Sequence, residues 1–216
     1  MVDDGEQAVA LTDLSLEAFT ARLAAKHSVP GGGGAAAVVG SLGAALGAMA
    51  AHFTSGKKSY AQVQGDIERI AGSATALSQQ LLQLVNEDAR NFEPLAHVYS
   101  MPKDQPGREE LLENATLKAC EAPLEMMRLC SRSIALLEEA SDKVSPLLLS
   151  DVACGAVLCG AALQAASVNV FVNTAQLKND EVARPLEEEA DALLLANIPR
   201  ADTVAEKAVT RIRGKE

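Results

Sequence analysis

Two long stretches of this chain carry no ionised side chain. One runs from Gly31 to Ser55 with His52 neutral, the other lies between Asp151 and Lys178. Helices uncharged all round belong either in lipid or in the middle of a protein. The first stretch is mostly Gly and Ala, which contribute little transfer energy. Only Val38, Val39, Leu42, Leu46, Met49 and Phe53 are bulky and apolar, which argues against a transmembrane span. The expectation is therefore an all-α antiparallel helical bundle with two buried uncharged central helices and amphipathic helices packed outside them. Gly40, Gly43 and Gly47 fall near one face of the first central helix, where missing side chains let another backbone approach.

Composition supports helices over sheets. Hydrophobic residues make up 48% of the chain, aromatics only 3%, and Trp is absent, so the core is built from Ala, Leu, Val and Met. Ala and Leu are strong helix formers, and the β-branched and aromatic enrichment of strands is missing. The 216 residues are read as a single domain, 1–216. A net charge of −10 argues against nucleic acid as the main partner, and there is no polybasic block for an anionic membrane. Asp3, Asp4 and Glu6 stand where a secretory signal would need positive charge. Cys120, Cys130, Cys154 and Cys159 show no C-x-x-C spacing and read as reduced, buried small hydrophobes, with no metal site. The expected location is the cytoplasm.

In chain order, Leu14 to Lys26 reads as a short amphipathic helix with Ser15 as its cap. Pro30-Gly31-Gly32-Gly33-Gly34 reads as a side-chain-free turn before the first central helix, which runs to about His52. Such a turn exposes backbone N–H groups to a ligand, although a plain loop feeding a close-packed helix explains the glycines equally. A long helix is expected from Tyr60 to about Tyr99, bent at Pro94, and another from Arg108 to Glu139, bent at Pro123. Met101 to Gly107 breaks the two. The second central helix spans about Ser150 to Leu177. A charged helix from Asn179 to Arg213, with a break at Pro199, closes the bundle.

Polar residues on or beside the central helices are the candidate site. Asn169 and Asn173 are four apart and share a helix face; their amides bind either a neighbouring helix or the polar edge of a ligand. Asp151 reads as an N-cap acid, with catalysis the minority reading. Glu87 and Asp88 are adjacent on one helix, so at most one faces inward, where it could act as a general base. Lys57 and Lys58 follow the first central helix. There they either compensate its dipole or bind a carboxylate.

These pieces occur together in a recognisable order: Pro30 to Ala37, Gly56-Lys57-Lys58-x-Tyr60, Glu87-Asp88-x-x-x-Phe92, Met101-Pro102-Lys103, Ala122-Pro123-Leu124, Ser150-Asp151 and Asn169-Val170-x-x-Asn173. In that order and spacing the chain resembles the cyclodeaminase/cyclohydrolase family from about Leu14 to Leu194. Val29 stands where many members have Thr, Pro94 interrupts a helix usually free of proline, and Lys143 to Leu149 lacks the Gly-Asn that commonly precedes Ser-Asp. The resemblance implies an all-helical homodimer acting on a tetrahydrofolate one-carbon derivative, with no cofactor beyond that substrate. It implies methenyltetrahydrofolate cyclohydrolase or, alternatively, formimidoyltetrahydrofolate cyclodeaminase activity. The all-glycine turn followed by Gly-Lys-Lys favours the first. A helical binding protein without catalysis is the remaining alternative. Under the resemblance Asp88, Asp151 and Glu87 are the catalytic candidates. Gly31, Gly32, Gly33, Gly34, Lys57, Lys58, Asn169 and Asn173 are the substrate-binding ones, with Lys57 or Lys58 holding the anionic folate tail.

Overall fold

The structure, a computed structural model, describes residues 10–214; Asp3, Asp4 and Glu6 lie outside the described residues. Among the described residues every regular element is helical: α1 (Leu16–Ala24), α2 (Gly32–Thr54), α3 (Gln64–Ser100), α4 (Arg108–Lys143), α5 (Leu149–Thr174) and α6 (Asp180–Ile212), with short 3-10 turns between several of them. Ser15 caps α1 as expected, its hydroxyl accepting from the Ala18 N–H. Lys58–Val63 forms a 3-10 turn, so the long helix begins at Gln64 and not at Tyr60. Pro94, Pro123, Pro185 and Pro199 all lie inside continuous helices, and Pro199 does not break α6. A proline deletes one backbone hydrogen bond, and packing along the rest of each helix holds it through that loss.

The helices run antiparallel to their chain neighbours. Gly40 lies against Ala162 and Gly43 against Gly155 and Cys159, which fixes α2 antiparallel to α5. Gly34 lies against Val85, and the Ser41 and Ser78 hydroxyls bond, which fixes α2 antiparallel to α3. Asn173 reaches the Ala119 carbonyl and Gly155 meets Leu137, placing α5 antiparallel to α4; α6 packs on α5 and α4. The core between them is aliphatic, centred on residues such as Ile67, Leu81, Met126, Ile134, Val152 and Leu163.

The bundle is all-α as expected, but the burial of α2 and α5 is one-sided. Both are long and apolar enough to cross a membrane by length and composition. Each packs one side into the protein and presents the other outward: Leu42 and Phe53 on α2, and Val157, Val168 and Val172 on α5, are exposed. Cys154 is exposed on that side of α5, unlike the buried Cys120, Cys130 and Cys159. Charge-free sequence therefore marks a face with no charge to satisfy, not one covered by the rest of this chain.

Glycine sets the spacing of α2. A Cβ on Gly43 would stand 2.5 Å from the Cys159 sulfur and 2.9 Å from the Gly155 carbonyl oxygen, whereas one on Gly72 of α3 would meet nothing within 4 Å. Gly43→Ala should thus destabilise the protein by about 1–3 kcal/mol through overpacking, against backbone that cannot swing aside. Gly72→Ala should stabilise it by about 0.5–1 kcal/mol through helix propensity. Thermal melts of the two variants check the pair.

Candidate active site

The start of α2 departs from the expected free turn. Gly31 is the N-cap, and Gly32, Gly33 and Gly34 form the first helical turn. Glycine is tolerable there because the packing demands it. A Cβ on Gly33 would lie 2.5 and 2.6 Å from the two carboxylate oxygens of Asp88, and one on Gly32 would lie 3.3 Å from Oδ1 of Asn169. The first-turn N–H groups have no intrahelical carbonyl, and the Gly34 N–H donates to Asp88. Those of Gly32 and Gly33 donate to no group among the described residues.

Asp88, on α3, is brought to this turn by the antiparallel packing of α2 on α3. Its pKa is pushed up to about 6, first by burial, while the Gly34 N–H pulls it back. No ion pair reaches Asp88 among the described residues. Asn169 and Asn173 approach from the C-terminal end of α5, on one face as their spacing requires. Asn169 Nδ2 donates to the Ala165 carbonyl (2.8 Å), and Asn173 Nδ2 to the Ala119 carbonyl (3.1 Å) of α4. Neither amide oxygen takes a hydrogen bond from the described residues.

Gly31, Gly32, Gly33, Asp88, Asn169 and Asn173 line one hollow of about 210 Å³ together with Ser28, Val29, Phe92, Ala119, Pro123 and Val172. A second hollow of about 260 Å³ shares Ser28, Val29 and Phe92 and continues along α3 to Ala96. The polar part of the site is acceptor-rich, a carboxylate and two amide oxygens, set against the positive end of a helix. Such a set suits a ligand with ring N–H groups and a cationic centre. Phe92, Pro123 and Val172 supply an apolar wall. They are not among the site residues expected from the sequence, although Phe92 shares a face with Asp88 at i+4.

The other expected residues lie elsewhere. Glu87 is half-buried beside Asp88 but does not line the hollow. Asp151 sits inside the first turn of α5, whose N-cap is Leu148, so it is a first-turn acid and not the cap. It is about 27 Å from Asn169 along the helix, at about 1.5 Å per residue. Lys57 and Lys58 are exposed beyond the C-terminus of α2, about 33 Å from Gly32 by the same measure. Within one chain neither Asp151 nor the lysine pair joins Asp88. Cys120 is next to Ala119, but burial pushes its thiol up to about 11, so it is no nucleophile. Among the described residues no group of three or more His, Cys, Asp or Glu is placed to hold a metal ion.

Comparison with known proteins finds relatives along most of the chain. The chain is 31% identical to the methenyltetrahydrofolate cyclohydrolase of Methylorubrum extorquens over 184 residues, covering 83% of this chain and 88% of that protein. It is 29% identical to the formimidoyltransferase-cyclodeaminase of Rattus norvegicus, of which it spans 34%. The solved structure of the formiminotetrahydrofolate cyclodeaminase of Thermotoga maritima superposes with a TM-score of 0.80 at 30% identity, covering 91% of this chain and 98% of that one. Residues 15–192, nearly all of the described helical bundle, match the family described as formiminotransferase-cyclodeaminase, and the chain belongs to that family.

Proposed function

We propose that this protein is a folate-dependent one-carbon enzyme that hydrolyses 5,10-methenyltetrahydrofolate to 10-formyltetrahydrofolate, with Asp88 as its general base. The observation that carries the reading is a half-buried carboxylate with no cationic partner among the described residues, lining one hollow with two free amide oxygens. A buried anion is costly, and a cationic ligand offsets that cost. The methenyl bridge is an amidinium. Similarity to the Methylorubrum extorquens cyclohydrolase along most of both chains supports the same choice.

The chemistry follows from the groups present. Ionised Asp88 takes a proton from water as its oxygen adds to the bridge carbon, giving a neutral tetrahedral carbinolamine. The C–N5 bond then breaks, the hydroxyl proton leaves as the carbonyl forms, and N5 gains a proton. One proton is released overall. The N–H groups of Gly32 and Gly33 stabilise the developing oxygen, and Asn169 and Asn173 accept from the ring N–H groups. Cyclodeamination of the formimino compound, the alternative, needs the same carboxylate to move protons as N10 attacks and ammonia leaves. The Thermotoga maritima structure keeps that alternative in view. Our reading needs no cofactor beyond the folate and places the enzyme in the cytoplasm. It also pairs the exposed, uncharged faces of α2 and α5 with those of a second copy, because Phe53, Val168 and Val172 would otherwise stand in water. Light scattering should give a dimer at micromolar concentration.

Assay of the purified protein on both folates decides between the reactions, and turnover of neither overturns the proposal. With Asp88 as base, kcat/KM should rise through about pH 6 and level above it. Asp88→Asn should lower kcat at least 100-fold, whereas Asn173→Ala should mainly raise KM. Stability should move the other way. The folded-state pKa of Asp88 is raised, so between about pH 4 and 6 the folded form holds a proton that the unfolded form has lost. Stability therefore falls as pH rises through that window, and above it the full penalty of the buried charge remains. At pH 7.5 Asp88→Asn should be more stable than wild type by roughly 2 kcal/mol, because the amide still accepts from Gly34 without the charge. A variant that is inactive and less stable would assign Asp88 a packing role.

A further inference from the structure

The hollow at Asp88 offers acceptors but no cation, although a folate ends in glutamate carboxylates. Lys57 and Lys58 stand at the far end of α2. A hollow that holds an unpaired arginine lies closer. The Met101 to Gly107 break, the start of α4 and the end of α5 enclose a hollow of about 400 Å³ lined by Lys103, Arg108, Leu112, Gln176 and Lys178, with carboxylates Asp104, Glu109 and Glu113. Glu109 is spent on Lys178. Arg108 is different: its Nε is buried with no hydrogen-bond partner, and no carboxylate pairs with its guanidinium among the described residues.

The larger hollow at the opposite end of the bundle, about 940 Å³, provides the contrast. Its Lys143 is paired with both Asp66 and Glu139, and its Arg211 donates to the Ser141 carbonyl and pairs with Asp142. Those cations are committed to the fold, whereas Arg108 is not. The guanidinium of Arg108 makes no hydrogen bond or ion pair among the described residues, and the half-exposed side chain lines the hollow, where a ligand oxygen can meet its terminal nitrogens. The planar fork of Arg108 matches a carboxylate in two-point geometry.

Position agrees with chemistry. Arg108 and Ala119, the latter a wall of the Asp88 hollow, are separated by about 16 Å along α4. In the turn that follows α5, Gln176 lies three residues beyond Asn173 and accepts from the half-exposed Tyr99 hydroxyl. A p-aminobenzoyl-glutamate arm spans on the order of 10 Å from N10 to its carboxylates at ordinary bond lengths. We infer that this hollow is the subsite for the glutamate carboxylates of the substrate, with Arg108 gripping one carboxylate, Lys103 adding charge at the rim, and Tyr99 and Leu112 offering apolar surface to the aromatic ring. The inference rests on the folate reading above, and it gives Met101-Pro102-Lys103 a binding task.

The test separates the two. p-Aminobenzoyl-glutamate and p-aminobenzoate are titrated calorimetrically into wild type, Arg108→Gln and the Lys57→Gln/Lys58→Gln double variant, with melting temperatures recorded alongside. Wild type should prefer the glutamate-bearing fragment at least ten-fold, and Arg108→Gln should abolish that preference at an unchanged melting temperature. Arg108→Lys should restore part of it. No preference in wild type, or a loss found in the lysine double variant and not in Arg108→Gln, overturns the subsite. In turnover, Arg108→Gln should raise KM for methenyltetrahydrofolate at least ten-fold while keeping kcat. If wild type turns over neither folate, the proposed reaction fails, and the fragment titration still decides the subsite.

Discussion

Everything in this structure depends on how closely α2 approaches its neighbours, and that closeness exists because side chains are missing. Gly40 faces the Cys130 sulfur and Ala162, Gly43 faces Gly155, and Gly47 faces Leu137, so one helix touches α3, α4 and α5 at nearly backbone distance. The core gains contact density where it lacks large aromatic groups. The same device continues into the first turn. Gly33 leaves the space that the Asp88 carboxylate occupies, so the packing rule that builds the bundle also places the site.

Two kinds of carboxylate in the chain set Asp88 apart. Asp66 and Glu139 share Lys143 and Arg69 on the outside of α3 and α4, and these partners hold both carboxyls below their usual range. Exposed pairs of that sort contribute little and carry no reactivity. Asp88 is half-buried with one backbone N–H as its hydrogen-bond partner, and its pKa moves the opposite way. An unpaired, partly desolvated acid weakens the fold, and such costs are a signature of a group held for a ligand. The helix N-terminus at Gly32 makes the ionised form tolerable without neutralising it, which suits a base that must be charged near neutral pH.

Much of the architecture was legible because charge and helix propensity are written directly in the sequence. The uncharged stretches marked α2 and α5, and the spacing of Asn169 and Asn173 gave their shared face. Whether an uncharged face is covered is a different question. Val168 and Gly160 lie on the same charge-free run, yet one is exposed and the other packs against Ala201. Depth along the bundle was equally hidden. Asp151, Lys57 and Lys58 belong to the same family pattern as Asp88, but antiparallel packing sends them to the other end. The role of the glycine turn is hidden from the sequence for a related reason. Propensity counts what glycine costs within a helix, whereas only the tertiary contacts of Gly32 and Gly33 reveal what it makes room for. Arg108 escaped notice because an arginine at a helix start resembles many others until the atoms around its Nε are seen.

The charge layout carries one further step. A protein of net charge −10 repels a substrate with an anionic tail at long range, so binding depends on local cations. Arg108 and Asp88 are far enough apart for their effects to remain separate: about 16 Å of helix lies between their hollows, twice the Debye length of about 8 Å at physiological salt. Under the two proposals Asp88 would then draw the cationic one-carbon centre without cancelling the attraction of Arg108 for the tail. A ligand positive at one end and negative at the other is thereby oriented as well as held. The reverse orientation would set its carboxylates against Asp88 and its amidinium against Arg108, two like-charge encounters in partly desolvated sites.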